Sequence, residues 1–125
     1  PAYGAQKAGI DKLAHDMAVD FKGTGVRTVS IWMGPLLTER SALAEGASQD
    51  EQYTQFMATA ESPEFIGEIV YAIANDPKGD ELSGHTLIAA EIAQRFNITD
   101  REGLQPPSYR QMLGAPNEPN PAVIY

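Results

Sequence analysis

A nearly continuous apolar run at residues 26–33 (VRTVSIWM) constrains the fold of this chain most strongly. The run has the length of a strand and is rich in β-branched and large apolar residues, without a regular alternation of polar positions. Strands of this kind are usually covered by helices on both faces, as in a parallel sheet. Residues 85–90 form a second run of the same character. The sequence therefore predicts two buried parallel strands.

An amphipathic helix is predicted from Ala2 to about Lys22, ahead of the first strand. Its apolar residues recur at intervals of three and four, which places them on the face that such a helix buries. They are Ile10, Leu13, Ala14, Met17, Ala18 and Phe21, whereas Asp11, Lys12, His15, Asp16 and Asp20 take the other side. Gly23 and Gly25 are expected to end this helix.

Another helix is predicted to begin at Ser62-Pro63-Glu64, which supplies a capping hydroxyl, a proline at the first helical position and an acid in the first turn. Shorter helices are predicted over about residues 49–60 and over residues 91–96. The segment between Gly34-Pro35 and Asp50 is predicted to be a loop with room for a short helix. The resulting order of helix, strand, helices and strand is that of βαβ architecture. Two strands alone leave an unpaired edge, so we expect more sheet than this chain supplies.

Composition narrows the class of protein. The net charge of −8 argues against nucleic acid or an anionic membrane as a partner, because binding either one depends on clustered lysines and arginines. The chain contains no cysteine, so it has neither disulfides nor a thiolate metal site, which fits a reducing compartment. No apolar run approaches the roughly 20 residues that span a bilayer, and no secretory leader is recognised. We expect a cytoplasmic protein.

Tyr3 and Lys7 are the residues with the clearest chemical potential. A spacing of four on a helix puts both side chains on one face, with Cβ atoms roughly 5–6 Å apart. The ammonium group and the start of the helix both favour the ionised phenol, which can then exchange a proton with a substrate hydroxyl or carbonyl. The alternative is that Tyr3 is an ordinary helix aromatic and Lys7 a solvated charge.

The stretch YGAQKAGIDKLAHDMAVDFKGTGVRTVSIWMGPLLTE resembles the short-chain dehydrogenase/reductase family. That family has a Tyr and a Lys on a helix, an amphipathic continuation, a Gly, and a strand ending in a Pro-Gly motif followed by a hydrophobic residue and a Thr. The second motif here reads Met33-Gly34-Pro35-Leu36-Leu37-Thr38. The stretch SPEFIGEIVYAIANDPKGDELSGHTL is similar to the family's later helix and last strand, so the resemblance covers about residues 1–100.

The resemblance implies an α/β fold that is incomplete alone. Residues 1–104 would be the carboxyl-terminal half of a Rossmann-like, doubly wound parallel sheet, with two strands and flanking helices. Residues 105–125, which contain five of the nine prolines, would be an extended tail wrapping a surface or a neighbouring subunit. The family's glycine-rich phosphate loop, catalytic serine and asparagine lie upstream of its tyrosine. We therefore expect a missing amino-terminal half as a partner, and little cofactor binding or turnover by this segment alone.

The resemblance also implies an NAD- or NADP-dependent oxidoreductase that interconverts a small alcohol and a carbonyl compound. Tyr3 would be the general acid/base, and Lys7 would support it and bond the nicotinamide ribose. The backbone of Leu36 would hold the carboxamide, and the Thr38 hydroxyl would assist there or at the phosphates. Gly34 would let the cofactor approach the backbone closely. Residues 37–52 would form a mobile substrate lid.

Two departures from the family pattern stand out. Met33 replaces the proline that usually precedes this glycine, and Ala90-Glu91 stands where many members have Asp-Gly-Gly, at a subunit contact. The enzyme is expected to be a homo-oligomer. The other hypotheses are a non-catalytic half-domain that assembles with itself or a partner, and a sugar-nucleotide epimerase or dehydratase.

The remaining polar and aromatic features are expected to be structural. His15 and His85 are assigned surface or capping roles, because no third metal ligand has suitable spacing. The acids between Asp50 and Glu68 are expected to form a solvated face. Trp32 and Met33 are expected in the core or in a pocket wall.

Overall fold

The computed structural model describes residues 1–41, 43 and 50–125. The chain there forms α1 (Ala2–Asp20), β1 (Ser30–Trp32), α2 (Glu51–Met57), α3 (Pro63–Asn75), β2 (Thr86–Ile88), α4 (Ala89–Phe96) and α5 (Arg110–Leu113), with 3-10 turns at Gly79–Leu82 and Arg101–Gly103. Within this described part, no helix is both long enough and apolar enough to cross a membrane.

The two strands pair in parallel, with Ser30 opposite Thr86 and Trp32 opposite Ile88. This pairing confirms the predicted α/β class with two parallel strands and flanking helices. Both strands are three residues long and therefore shorter than predicted. The prediction that residues 85–90 are all strand is wrong at its end, because α4 begins at Ala89.

The main apolar core lies between α3, α4 and one face of the sheet. Three α3 residues at intervals of four, Phe65, Ile69 and Ile73, are buried, which is the spacing of one face of a helix. The core consists of Phe65, Ile69, Ile73, Leu82, Leu87, Ala89, Ile92 and Ala93. The predicted start of α3 is confirmed, since the Ser62 side chain accepts a hydrogen bond from the amide of Phe65 and Pro63 takes the first helical position.

Helix α1 covers the other face of the sheet. Successive strand side chains point to opposite faces. Ile31 accordingly packs against the α3 core, whereas the side chains of Ser30 and Trp32 both contact Asp11 on α1. The sheet thus has helices on both sides, as a doubly wound fold requires.

The buried face of α1 differs from the predicted apolar stripe. Asp11 and Ala14 are its buried residues, while Ile10 and Leu13 are 44% and 57% exposed. The helix is held by polar contacts and small residues instead of by large apolar side chains. The Thr28 hydroxyl donates to the carbonyl of Ala14 at 2.7 Å, and a Cβ at Gly84 would lie 3.1 Å from the Cβ of Ala18.

The segment after residue 104 is only partly extended. It contains α5, whose Arg110 makes two hydrogen bonds to the carboxylate of Glu91, at 2.7 and 2.6 Å. The chain then returns to α1, where Lys12 Nζ donates to the carbonyl of Ala122 at 2.8 Å and the Tyr125 hydroxyl bonds Asp20 at 2.8 Å. The tail at residues 105–125, which was predicted to wrap a surface or a neighbouring subunit, therefore contacts the chain's own first helix.

Candidate functional site

Helix α1 brings Tyr3 and Lys7 together on one face, as predicted. Lys7 Nζ lies 5.4 Å from the centroid of the Tyr3 ring. Tyr3 is 72% exposed, and the first ten residues of the chain are all exposed. The phenol and the ammonium group are thus both accessible to a ligand.

The direction of α1 places this pair at a particular edge of the sheet. Ala14 contacts Thr28, and Asp11 contacts Ser30 and Trp32, so α1 runs antiparallel to β1. The amino-terminal end of α1 therefore lies toward the carboxyl end of β1. Ligands of open parallel α/β sheets bind at that edge.

Asp11 is a buried carboxylate beneath the Tyr3–Lys7 end of α1. One of its oxygens accepts a hydrogen bond from the Ser30 hydroxyl at 2.6 Å, and the Trp32 indole N–H lies 3.2 Å from each oxygen. Sequence reasoning placed Asp11 on the polar face of α1. Asp11 lies four residues after Lys7 and three before Ala14, so helical spacing places the three residues on one face of α1. That spacing was the signal in the sequence for the position of Asp11.

An open cavity of about 470 Å³ borders Lys7. One wall is the first half of α1 together with Trp32, and the opposite wall is the tail at residues 117–120. The lining residues are Gly4, Lys7, Ala8, Asp11, Lys12, Trp32, Asn117, Glu118, Pro119 and Asn120. The space next to Lys7 thus combines charged, amide and aromatic groups.

The turn after β1 is held by Glu61. The amide of Gly34 donates to Oε2 of Glu61 at 2.9 Å. The amide of Glu61 donates to the carbonyl of Pro35 at 2.7 Å, and the amide of Leu37 donates to the carbonyl of Glu61 at 2.9 Å. These bonds form a parallel bridge between Leu36 and Glu61. In such a bridge, Pro35 and Leu37, which flank Leu36, make the backbone bonds to Glu61. The amide and carbonyl of Leu36 therefore point away from Glu61.

Gly34 is required by packing within the chain itself. A Cβ at this position would lie 2.9 Å from Cε2 of Tyr109 and 3.0 Å from Oε1 of Glu61. The missing side chain therefore makes room for these two residues at this turn. A small cavity of about 40 Å³ lies alongside and is lined by Trp32, Met33, Gly34, Glu61, Ile88, Pro107, Tyr109, Leu113 and Gly114. Trp32 lines both cavities.

Glu61 was not singled out by sequence reasoning. Its side chain is fully buried, which is uncommon for a glutamate. Burial raises the pKa of Glu61, the Gly34 amide opposes that rise, and the negative charge of Asp100 adds to it. No local pattern signals this burial, because its cause is the turn 27 residues earlier in the chain.

Asp100 joins the start of α3 to the turn that follows α4. It accepts hydrogen bonds from the amide and hydroxyl of Ser62, at 2.7 and 2.6 Å, and from the amide of Arg101 at 2.7 Å. Burial alone raises the pKa of Asp100, but the hydrogen bonds from Ser62 and Arg101 outweigh it, and the pKa is lowered. Ser62 therefore caps α3 and anchors a second turn.

Thr38 is exposed, and its hydroxyl takes part in local capping. The amide of Ser41 donates to the Thr38 hydroxyl at 3.2 Å, and the amide of Thr38 donates to the Ser41 hydroxyl at 2.7 Å. The predicted cofactor role of Thr38 stays a prediction. Of the predicted lid at residues 37–52, positions 42 and 44–49 lie outside the described residues.

His15 and His85 lie outside any metal-binding group among the described residues. Among residues 1–41, 43 and 50–125, no cluster of three His, Cys, Asp or Glu side chains could hold a metal ion. His15 Nδ1 lies 3.0 Å from a carboxylate oxygen of Asp16, which also accepts a hydrogen bond from Lys12. The expected surface role of His15 agrees with this arrangement.

The fold and the comparisons with known proteins identify the class. Two parallel strands with helices on both faces are consistent with part of a Rossmann-type oxidoreductase fold. The chain is 37% identical over 107 residues to dehydrogenase/reductase SDR family member 1 of Homo sapiens, and 36% identical to the protein of that name from Mus musculus. No protein-family model matches the sequence.

Over most of its length, the chain is therefore homologous to part of a short-chain dehydrogenase/reductase. The alignment covers 81% of this chain and 34% of each relative, so the chain spans about a third of their length.

Proposed function

We propose that these residues are part of an NAD- or NADP-dependent oxidoreductase that interconverts an alcohol and a carbonyl compound. The observation that carries the proposal is the Tyr3–Lys7 pair at the carboxyl edge of a parallel sheet. Tyr3 is exposed, Lys7 borders the open cavity, and the homologous proteins are named as dehydrogenase/reductases.

The residues at this edge fit a nicotinamide cofactor. Lys7 offers an ammonium group to the open cavity, and the backbone amide and carbonyl of Leu36 point away from the Glu61 bridge. A carboxamide needs one donor and one acceptor, which a single backbone residue supplies. Hydride transfer at the substrate carbon is the chemistry that a bound nicotinamide would supply. Thr38 is proposed to assist binding once its hydroxyl turns from Ser41.

Tyr3 and Lys7 handle the proton. In the direction of oxidation, the ionised Tyr3 oxygen takes the proton from the substrate hydroxyl as the carbonyl forms; in reduction, the phenol returns it to the substrate oxygen. Lys7 is proposed to support this transfer, because its ammonium group lies 5.4 Å from the centroid of the Tyr3 ring. Since the chain spans a third of its relatives, we propose that an amino-terminal segment contributes the rest of the cofactor site.

The test is replacement of Tyr3 in the complete enzyme. Tyr3→Phe removes only the hydroxyl and should lower kcat at least about 100-fold, the scale of general acid–base catalysis. Tyr71→Phe is the matched control, because Tyr71 is 71% exposed on α3 and belongs to neither cavity. Full activity of Tyr3→Phe would remove Tyr3 from the mechanism.

A second candidate function is assembly without catalysis. Ile10, Leu13 and Val19 are exposed apolar residues of α1, and such residues favour contact with a further copy or with a missing segment. Light scattering together with NADH titration distinguishes the two functions. In the complete enzyme, a stable monomer that binds no nucleotide would contradict the enzyme function and also weaken the assembly hypothesis.

A further inference from the structure

We propose that Asp11 is a positioning residue, which sets the direction of α1 against β1 and thereby holds Tyr3 and Lys7 in place. The inference rests on the proposed function. It assigns a role to a residue that lies outside the family motifs recognised in the sequence.

Asp11 is the buried anchor nearest to the proposed catalytic pair. The ten residues before it are all exposed, so the amino-terminal part of α1 projects beyond its packed part. The other contacts of α1 with the strand region, at Ala14 and Ala18, lie farther along the helix. Among the described contacts of α1 with β1, the one at Asp11 is therefore closest to the exposed part and bears most directly on its orientation.

The contacts of Asp11 are directional. Its carboxylate receives the Ser30 hydroxyl at 2.6 Å and the Trp32 indole N–H at 3.2 Å, from side chains two residues apart on the same face of β1. Two donors on one strand fix both the rotation of α1 and its position along β1. Apolar contacts would allow small sliding motions, because hydrophobic attraction has no preferred direction.

Attaching a helix through a buried carboxylate costs free energy. Removing its charge from water is unfavourable unless hydrogen bonds compensate. An apolar side chain would attach α1 to the sheet without that cost. What Asp11 adds is the fixed geometry of charge-assisted hydrogen bonds.

The distance between Asp11 and Tyr3 makes the position of Tyr3 sensitive to the angle of α1. With a rise of 1.5 Å per residue, Tyr3 lies about 12 Å along the helix axis from Asp11. A tilt of about 5° at Asp11 would therefore move Tyr3 by about 1 Å, and displacements of that size cost up to about 100-fold in rate. Loss of the Asp11 contacts should act on catalysis through position.

The first test uses Trp32, the single tryptophan of the chain, as a spectroscopic reporter. Asp11→Ala should shift the Trp32 emission and increase its quenching by acrylamide, because the indole loses its buried acceptor. Asp16→Asn is the matched control, since Asp16 is another α1 carboxylate and bonds Lys12 and His15 instead of β1. Unchanged Trp32 emission in Asp11→Ala would overturn the proposed contact.

The second test measures turnover per folded molecule in the complete enzyme, with the folded fraction taken from circular dichroism. Asp11→Ala should lower kcat at least about tenfold, whereas Asp11→Asn, which keeps a carbonyl acceptor, should stay within about threefold of wild type. Asp16→Asn should match wild type. A purely stabilising role predicts wild-type kcat for every folded variant, and that result would overturn the inference.

The two proposals can fail separately. An active wild-type enzyme with an unaffected Asp11→Ala variant contradicts only the positioning role. A wild-type enzyme that neither binds NADH nor turns over contradicts the proposed function, and with it the catalytic consequence of the Asp11 contacts.

Discussion

The buried carboxylate of Glu61 accepts a hydrogen bond from the Gly34 amide at 2.9 Å and so joins the residue before the α3 cap to the turn after β1. The backbone of Glu61 makes two further bonds to Pro35 and Leu37. The turn proposed to hold the nicotinamide is therefore fixed by a residue outside the catalytic motifs. Because the Glu61 carboxyl group can gain or lose a proton, the stability of this turn should depend on pH.

We expect the free energy of unfolding to depend on pH through Glu61. Burial raises the pKa of Glu61, so folding favours the neutral acid. This contribution is fully present below the ordinary pKa of a glutamate and is lost as the pH rises through the raised value. Glu61→Gln should therefore gain stability relative to wild type as the pH rises through this window. Urea unfolding at several pH values measures the difference, and parallel curves would contradict the assignment.

Glu61→Ala should be more harmful than Glu61→Gln. Alanine leaves the amide of Gly34 without its acceptor, and an unsatisfied buried donor costs about 1–3 kcal/mol. Glu64→Ala is the control, because Glu64 is an exposed acid in the first turn of α3. Equal unfolding midpoints for Glu61→Ala and Glu64→Ala would show that the Gly34 bond contributes little.

Gly34→Ala should destabilise the chain through a steric clash with Tyr109. The new Cβ would lie 2.9 Å from the Tyr109 ring, and overpacking of this kind costs about 1–3 kcal/mol. Adding Tyr109→Leu should recover part of that loss, because the shorter side chain vacates the ring edge. Gly67→Ala is the control; Gly67 lies in α3 with open space around its Cα, so alanine should add about 0.5–1 kcal/mol. A neutral Gly34→Ala variant would contradict this packing.

Ser62→Ala should lower stability by about 1–2 kcal/mol, the usual cost of losing a helix cap. The Ser62 hydroxyl also donates to Asp100 at 2.6 Å, so the substitution removes two contacts. The lowered pKa of Asp100 means that its contribution is present above the ordinary aspartate value and is lost as the pH falls. Ser62→Ala should therefore reduce the loss of stability in acid. Acid titration of both proteins by circular dichroism measures this effect, and identical acid transitions would exclude the coupling.

Removal of residues 115–125 should expose the cavity beside Lys7. These residues supply one wall of that cavity and the contacts to Lys12 and Asp20. Acrylamide should quench Trp32 more strongly in the shortened chain, while the helical content of α1 and α3 should be unchanged. Lys12→Ala, which removes one anchor of the tail, should give an intermediate value. Identical quenching in all three proteins would show that the tail does not shield the cavity.

Local features of the sequence determined several elements of this protein. The cap and proline at Ser62 and Pro63 place the start of α3, and its period of apolar residues identifies the core face. The spacing of Tyr3 and Lys7 places them together, because a helix repeats every 3.6 residues. These features depend on residues within one or two helical turns of each other.

The tertiary structure alone decided which acids are buried and which face of α1 meets the sheet. Asp11 depends on donors 19 or more residues away, and Glu61 depends on a turn 27 residues away. The strands are short because each pairs over only three residues. Periodicity predicts where apolar side chains point, but a buried charge is stabilised by particular donors, and only the folded chain brings those donors within hydrogen-bond distance.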